Sequence, residues 1–326
     1  MPDELGDSYV EFARKLAQPT WITIDGEDDS RSRAIVTLLH GNEPSGLKAI
    51  FEFLKSGRRP ATNLGIVVAS VNAALLDPPF SHRYLPDEAD LNRCFIHPAT
   101  TDQQHLAGEI LKTLNAFSPE AVIDTHNTSG HSEAFAVATR DDAATVQLAQ
   151  RFTRRLVVLD LRLGTLIEHA TATMPIVTVE FGGFTDPRAD QLAAETLRGF
   201  IFASDLFDME TQPMMLLRHP HRLEVDDSTE LHYSASVQER ADVTMFNTVD
   251  QLNFSRVEAG QPLGWLDPGG VSHLKVRSAD GADLVADYFE ERDGFLVTSR
   301  PIVLFMATTD AYIAKRDCLL YLTPAE

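Results

Sequence analysis

Short apolar runs alternate with stretches of helical periodicity through the first two-thirds of the chain. Trp21–Ile24, Ile35–Leu39, Leu64–Asn72, Ala121–Ile123, Ala134–Ala138, Leu156–Leu159 and Ile176–Gly183 read as strands, most of them buried. Between them apolar residues recur every three or four positions. Tyr9, Phe12, Ala13 and Leu16 make one such face. Leu47, Ile50, Phe51 and Leu54 make another, ended by Gly57 and Pro60, and Leu106, Ile110, Leu111 and Leu114 a third. Asp141–Phe152 and about Pro187–Phe207 complete the helices, and Asp25–Ser32 reads as a polar turn. This alternation predicts an α/β domain with helices on both faces of a sheet.

Past Thr211 the helical period fades. Gly260–Gly264, Asp267–Gly270 and Ala279–Gly281 are turn signals, with strand-like Phe295–Thr298 and Ile302–Met306 after them. The expected division is therefore an α/β domain over residues 1–209 and a smaller β-rich domain over 210–326. Two stretches resist this pattern. Asp77–Pro98 carries Pro78, Pro79, Pro86 and Pro98 and is too long for a plain connection, which marks it as functional. Leu161–Met174 shows no clear period.

Composition narrows the classes. With 44% hydrophobic and 23% charged residues the chain is globular, and its net charge of −20 disfavours nucleic acid and anionic membranes as partners. Two cysteines, Cys94 and Cys318, give no disulfide framework. No apolar run approaches ~20 residues, and the acidic start Met1–Leu5 is unlike a signal peptide. A soluble cytoplasmic protein is expected.

The chemistry gathers where strands end. His40 and Glu43 stand between the strand Ile35–Leu39 and the helix that follows Pro44, with Gly41 permitting a tight turn. His126 follows the apolar run Ala121–Ile123, after Asp124 and Thr125. Two imidazoles and a carboxylate are a ligand set used by catalytic zinc, with an open position left for water. Each residue alone reads more simply, His126 as a capping histidine. The conjunction at strand ends favours the metal. Glu180 ends the apolar run Ile176–Val179, where desolvation raises a carboxyl pKa and suits a general base and acid. Alone, it could equally be a strand-end carboxylate bonded to backbone N–H groups. His82, His97, His105, His131, His219 and His221 have no such partner spacing, and most of them are read as surface residues.

Four motifs, His40-Gly41-Asn42-Glu43-x-x-Gly46, Asp90-Leu91-Asn92-Arg93-x-Phe95, Asp124-Thr125-His126-Asn127-Thr128 and Val179-Glu180-Phe181-Gly182, occur in this order over about residues 35–185. Together they resemble the succinylglutamate desuccinylase/aspartoacylase family, relatives of the zinc carboxypeptidases. The resemblance implies a zinc-carboxypeptidase-like three-layer α/β/α domain with a mixed sheet, a β-rich C-terminal domain, and one Zn2+ per chain. It implies hydrolysis of the amide of a small N-acyl amino acid or related N-acyl amine. By the same resemblance Arg83 steadies the oxyanion, while Asn92 and Arg93 grip a substrate carboxylate. Tyr288 resembles a substrate-contacting tyrosine; the plain reading is a strand aromatic. Arg93 has its own plain reading, an ion pair with Asp87 or Glu88.

Family members selective for acyl-aspartate carry a further arginine shortly before the catalytic glutamate. Residues 168–178 here have none, so His169 or Arg162 could read a different acyl group. The alternative function is a metallocarboxypeptidase acting on peptides. A metal-binding protein without catalysis is disfavoured by the joint presence of Glu180, Arg83 and the three ligands. The oligomeric state, a homo-oligomer included, stays open.

Overall fold

The computed structural model describes residues 5–96, 98–160, 162–210, 212–277 and 281–325. Of the positions named above, Met1–Glu4, His97, Leu161, Thr211 and Ala279–Asp280 lie outside them. Backbone packing divides the chain into two compact units, Met1–Asn127 with Ala134–Leu216, and Thr128–Glu133 with Leu217–Glu326. No helix among the described residues is long and apolar enough to cross a membrane. Cys94 and Cys318 are both free and buried.

The first unit is α/β. Its elements run α1 (Tyr9–Leu16), β1 (Thr20–Ile24), β2 (Asp28–Thr37), α2 (Ser45–Ser56), β3 (Thr62–Val68), α3 (Val71–Leu75), α4 (Asp102–Phe117), β4 (Val122–Thr128), β5 (Phe135–Ala138), α5 (Ala143–Gln150), β6 (Arg155–Val158), β7 (Ile176–Gly183) and α6 (Pro187–Phe202), followed by β8 (Met215–Arg218). The eight strands form one sheet in the order β1-β3-β2-β4-β7-β5-β6-β8. The sheet is mixed: β2 runs parallel to β3 and β4, while β1 is antiparallel to β3 and β5 to β7. The central strand β4 is buried along its whole length, as a strand covered on both faces is. β7 is buried along its whole length. Helix α2 turns Leu47, Ile50, Phe51 and Leu54 inward, and α6 does the same with Leu197, Phe200 and Ile201. Each fully buried side chain of this size contributes about 1.5–3 kcal/mol.

Several boundaries differ from the sequence pattern for identifiable reasons. β2 begins at Asp28, inside the stretch read as a polar turn, because Asp28 and Ser32 pair with Thr62 and Asn63 of β3 across a register shift. Backbone pairing extends the strand beyond its apolar half, and the polar half is simply less buried. β3 stops at Val68 because its neighbour β2 stops at Thr37; Ser70 Oγ then donates to Leu39 O at 2.9 Å and α3 begins. α6 ends at Phe202, with Ala203 extended, before the expected Phe207.

Gly46, at the start of α2, is required by proximity. A Cβ there would lie 2.1 Å from Thr125 Oγ1 of β4 and 2.7 Å from Thr37 Oγ1 of β2. The helix start therefore rests directly on β4, which carries His126, and on the end of β2, which leads to His40. Gly46→Ala should destabilise the protein by about 1–3 kcal/mol, the usual cost of overpacking a filled interior. A denaturant midpoint equal to that of the wild type would show that the helix start can retreat freely.

The second unit contains two five-stranded sheets, built from β9 (His221–Val225), β10 (Leu231–Ser234), β11 (Val243–Phe246), β12 (Arg256–Val257), β13 (Pro262–Leu266), β14 (Leu274–Val276), β15 (Phe289–Arg292), β16 (Phe295–Thr298), β17 (Ile302–Phe305) and β18 (Leu320–Pro324). Their orders are β10-β11-β13-β16-β15 and β12-β17-β18-β9-β14. Two short helices, α7 (Val285–Tyr288) and α8 (Ala311–Arg316), accompany them.

Candidate metal centre

β2 ends at Thr37, and Leu38 takes a left-handed backbone conformation (φ 56°), which turns the chain toward His40. Gly41 follows in a position that admits no side chain, since a Cβ would sit 2.6 Å from Ala74 N and 2.7 Å from His82 O. Its N–H donates to Arg83 O at 2.8 Å, and Glu43 N–H closes the turn on His40 O at 3.2 Å. That turn sets His40 Nδ1 2.9 Å from Glu43 Oε1. From β4, His126 Nδ1 comes within 2.7 Å of Glu43 Oε2. All three residues are buried, and one ligand atom from each lies within 4.8 Å of the others, so the group could hold a metal ion.

The remaining ring nitrogens are also engaged. His126 Nε2 lies 2.9 Å from Asp124 Oδ2, which in turn accepts from Thr178 Oγ1 at 2.8 Å. His40 Nε2 lies 3.0 Å from Asp90 Oδ1. Each imidazole thus has a carboxylate on Nε2, the arrangement that orients a ligating histidine and fixes which nitrogen faces the metal. Asp124 and His126 share one face of β4 by the two-residue period of a strand, and Thr178 and Glu180 share one face of β7.

Without a metal the same atoms form an ion cluster. Burial opposes charge on His126, but the carboxylates of Asp124 and Glu43 prevail and hold its pKa well above the ordinary value. Burial likewise opposes ionisation of Glu43, and the facing histidines outweigh it and hold the carboxyl far below the usual range. Asp90 behaves alike: burial resists its charge, while His40, Arg83 and Arg93 keep it ionised. Glu180 goes the other way. Burial pushes it up to about 7, against the pull of His126, and the charge of Glu43 adds to the rise. Its Oε2 is buried with no hydrogen-bond partner among the described residues.

Arg83 reaches the same cluster, with Nε donating to Asp90 Oδ2 at 3.0 Å and Nη1 to Glu43 Oε1 at 3.4 Å. Its side chain is 40% exposed. Asn92 lies in a 3-10 turn, Leu91–Arg93, and its N–H donates to Asp90 Oδ1 at 2.9 Å. Its amide oxygen accepts from Leu166 N–H at 3.1 Å, which leaves its NH2 group as the available donor. Arg93 Nη1 donates to Asn92 O at 2.9 Å, and no ion pair joins it to Asp87 or Glu88 among the described residues. Glu88 instead accepts from Gln103. Tyr288 belongs to the second unit and packs in its core, where its ring lies 5.4 Å from that of His221 and 5.6 Å from the Arg300 guanidinium. It ends a short helix and is not a strand residue.

Three participants had no role in the sequence reading. Asp90 joins His40 to Arg83, and Asp124 orients His126. Asn127 ties the site's elements together: its N–H donates to Glu43 Oε2 at 3.1 Å, its Oδ1 accepts from Ser45 N–H at 3.2 Å, and its Nδ2 donates to Gly182 O at 3.1 Å. In this way it caps α2, whose own start lacks a side-chain cap. Asp124 was legible in principle, two residues before His126 on the same strand face.

The first unit is thus a mixed α/β sheet with a buried His-Glu-His group, able to hold a metal ion, beside the ends of β2 and β4. In fold the chain is similar to proteins of the succinylglutamate desuccinylase/aspartoacylase family. The succinylglutamate desuccinylase of Vibrio cholerae superposes with a TM-score of 0.58 at 15% identity, over 98% of this chain and 95% of that one. A point mutant of murine aminoacylase 3 gives 0.56 at 14% identity, over 92% and 95%. The product-bound ectoine utilization protein EutE of Ruegeria pomeroyi gives 0.52 at 17% identity, over 86% and 88%. No family model matches the sequence, and no curated protein does. At these identities the likeness carries the fold.

Proposed function

We propose that the chain is a zinc-dependent amidohydrolase that removes the acyl group from a small N-acyl amino acid or related N-acyl amine. The observation that carries this reading is the Glu180 carboxyl, buried, with Oε2 lacking a hydrogen-bond partner among the described residues, and within electrostatic reach of the His-Glu-His group. The donor set fits zinc: two imidazoles and one carboxylate, each imidazole backed by a second carboxylate. His40, Glu43 and His126 would hold the ion. A zinc ion there supplies Lewis acidity and brings the pKa of a water from about 16 toward about 7. The domain around it is read as the zinc-carboxypeptidase-like α/β/α type. The similar proteins named desuccinylase and aminoacylase agree with a deacylase.

The protein groups then have separate tasks. Glu180 takes the proton from the attacking water and passes it to the leaving amine, which needs a carboxyl titrating near neutrality. Arg83 offers a half-exposed guanidinium to the oxygen that becomes negative in the tetrahedral intermediate. Asp90 holds that guanidinium through Nε and so aims its outer nitrogens. Asn92 and Arg93 receive the substrate carboxylate, Arg93 by two parallel hydrogen bonds.

Turnover of N-acyl amino acids with and without a chelator tests the reading. Hydrolysis abolished by the chelator and restored by zinc is expected; faster cleavage of C-terminal peptide residues than of any N-acyl amino acid would favour the metallocarboxypeptidase instead. Arg93→Lys keeps the charge and loses the fork, at a cost of about 1.5–3 kcal/mol in a charged hydrogen bond. KM for the free acid should rise roughly ten- to hundredfold, with zinc content unchanged. A methyl ester of the same substrate cleaved equally well by wild type would remove Arg93 from this role.

A further inference from the structure

We propose that the segment 163–169 is a positioning element for the Asn92–Arg93 pair, and that Glu168 is the positioning residue that sets its shape. The inference rests on the reading that this pair binds a substrate carboxylate. Glu168 Oε1 accepts from Leu163 N–H at 2.7 Å, Thr165 N–H at 2.9 Å and Thr165 Oγ1 at 3.1 Å. The bond from Thr165 N–H is one half of a capping box at the head of the 3-10 turn Leu166–His169. The turn faces the 90–95 loop and holds it at three places. Leu166 N–H fixes the Asn92 amide oxygen at 3.1 Å. Gly164 O accepts from Phe95 N–H at 2.9 Å, and His169 Nε2–H donates to Phe95 O at 2.8 Å.

Gly164 supports the same conclusion. It has φ 76°, and a Cβ there would lie 2.6 Å from Arg93 O, so backbone meets backbone at the substrate pair. From the other side, Asp90 Oδ1 accepts from Asn92 N–H at 2.9 Å. The pair is thus held between a carboxylate that also faces His40 and a turn shaped by Glu168. Residues 163–178 contain no lysine or arginine, so the segment brings no permanent cation to a carboxylate. Its contribution is geometric. Fixing the Asn92 oxygen orients the NH2 group, and holding Phe95 prevents the loop from carrying Arg93 away.

Glu168→Ala, Glu168→Gln and His169→Ala, each loaded with zinc, separate this role from simple packing by Leu166 and Ile167. Amide hydrogen exchange over residues 91–96 should quicken in Glu168→Ala by at least ~10-fold, because local opening controls exchange there. With an N-acetyl amino acid that the wild type cleaves, KM should rise roughly 5- to 20-fold, the loss of one to two hydrogen bonds' worth of positioning, with kcat within twofold. The methyl ester of that compound should show no change in KM. Glu168→Gln should restore both readouts, since its amide oxygen accepts the same N–H groups. His169→Ala should shift them in the same direction by less, and decides the question where Glu168→Ala does not fold. Unchanged exchange, a fall in kcat at constant KM, or equal effects on acid and ester would each overturn the proposal. Absence of hydrolysis by the wild type would defeat the deacylase reading, while the exchange measurement alone would still decide for or against the brace.

Discussion

Replacing His126 by alanine should empty the metal centre and unsettle the sheet beneath it. His126 contributes one of three proposed ligands, and a zinc site reduced to two ligands loses the closed donor set on which its affinity depends. Wild-type protein should carry about one zinc per chain, the variant close to none. The second effect needs no metal. In the metal-free protein His126 is the cation between Asp124, fully buried, and Glu43. Its removal leaves two carboxylates facing a vacancy, and breaking a buried pair in this way costs about 3–5 kcal/mol.

The pH window of that loss follows from the directions of the shifts. His126 has a raised pKa in the folded state, so its contribution is full below its unfolded value of 6.5 and fades as pH rises through the folded value. Glu43 has a lowered pKa, so its contribution is present above its unfolded value of 4.5 and fades as pH falls. The stability difference between metal-free wild type and His126→Ala should therefore be greatest between these two unfolded values, at about pH 5–6. Denaturant unfolding in a chelator at pH 5.5 and 8.5 checks it. Equal differences at both pH values, or a variant retaining its zinc, would take His126 out of the centre.

The residues legible from sequence share one property. His40, Glu43, His126 and Glu180 all stand at or near the end of an apolar run, and a strand end in an α/β protein has a known neighbourhood. What joins them is long-range and leaves little trace in local pattern. Asp90 reaches His40 from a proline-rich loop fifty positions later, where no period predicts direction. The strand order β1-β3-β2-β4-β7-β5-β6-β8 depends on pairings between distant segments, which is also why β2 begins four residues before its polar stretch ends. Tyr288 left a different kind of trace: its role comes from resemblance alone, and locally it is a buried residue in the core of the second unit. Segment 161–174 lacked hydrophobic periodicity, yet Thr165-x-x-Glu168 carries the capping-box signature that the structure uses.

Glu180→Gln separates a catalyst from a structural carboxylate. Glutamine keeps the size of the side chain and one oxygen, but it cannot take a proton from water at neutral pH. If Glu180 is the general base, turnover should fall by at least ~10²-fold. Zinc content should not change, because Glu180 is outside the proposed ligand set. Stability should hold or rise: burial, with the charge of Glu43 added, pushes this carboxyl up to about 7 against the pull of His126, so ionising it costs the folded state free energy that a neutral amide does not incur. For the wild type that cost grows as pH climbs from the unfolded value of 4.5 through about 7, and the Gln variant should lack this dependence. The rate of the loaded wild-type enzyme should fall on acidification as Glu180 protonates, at a pKa below about 7 because a bound cation favours the carboxylate. A structural Glu180 predicts the reverse set: lower stability, near-normal turnover per folded molecule and an unchanged acid limb. More than about half the wild-type rate in a folded, zinc-loaded Glu180→Gln would defeat the mechanism.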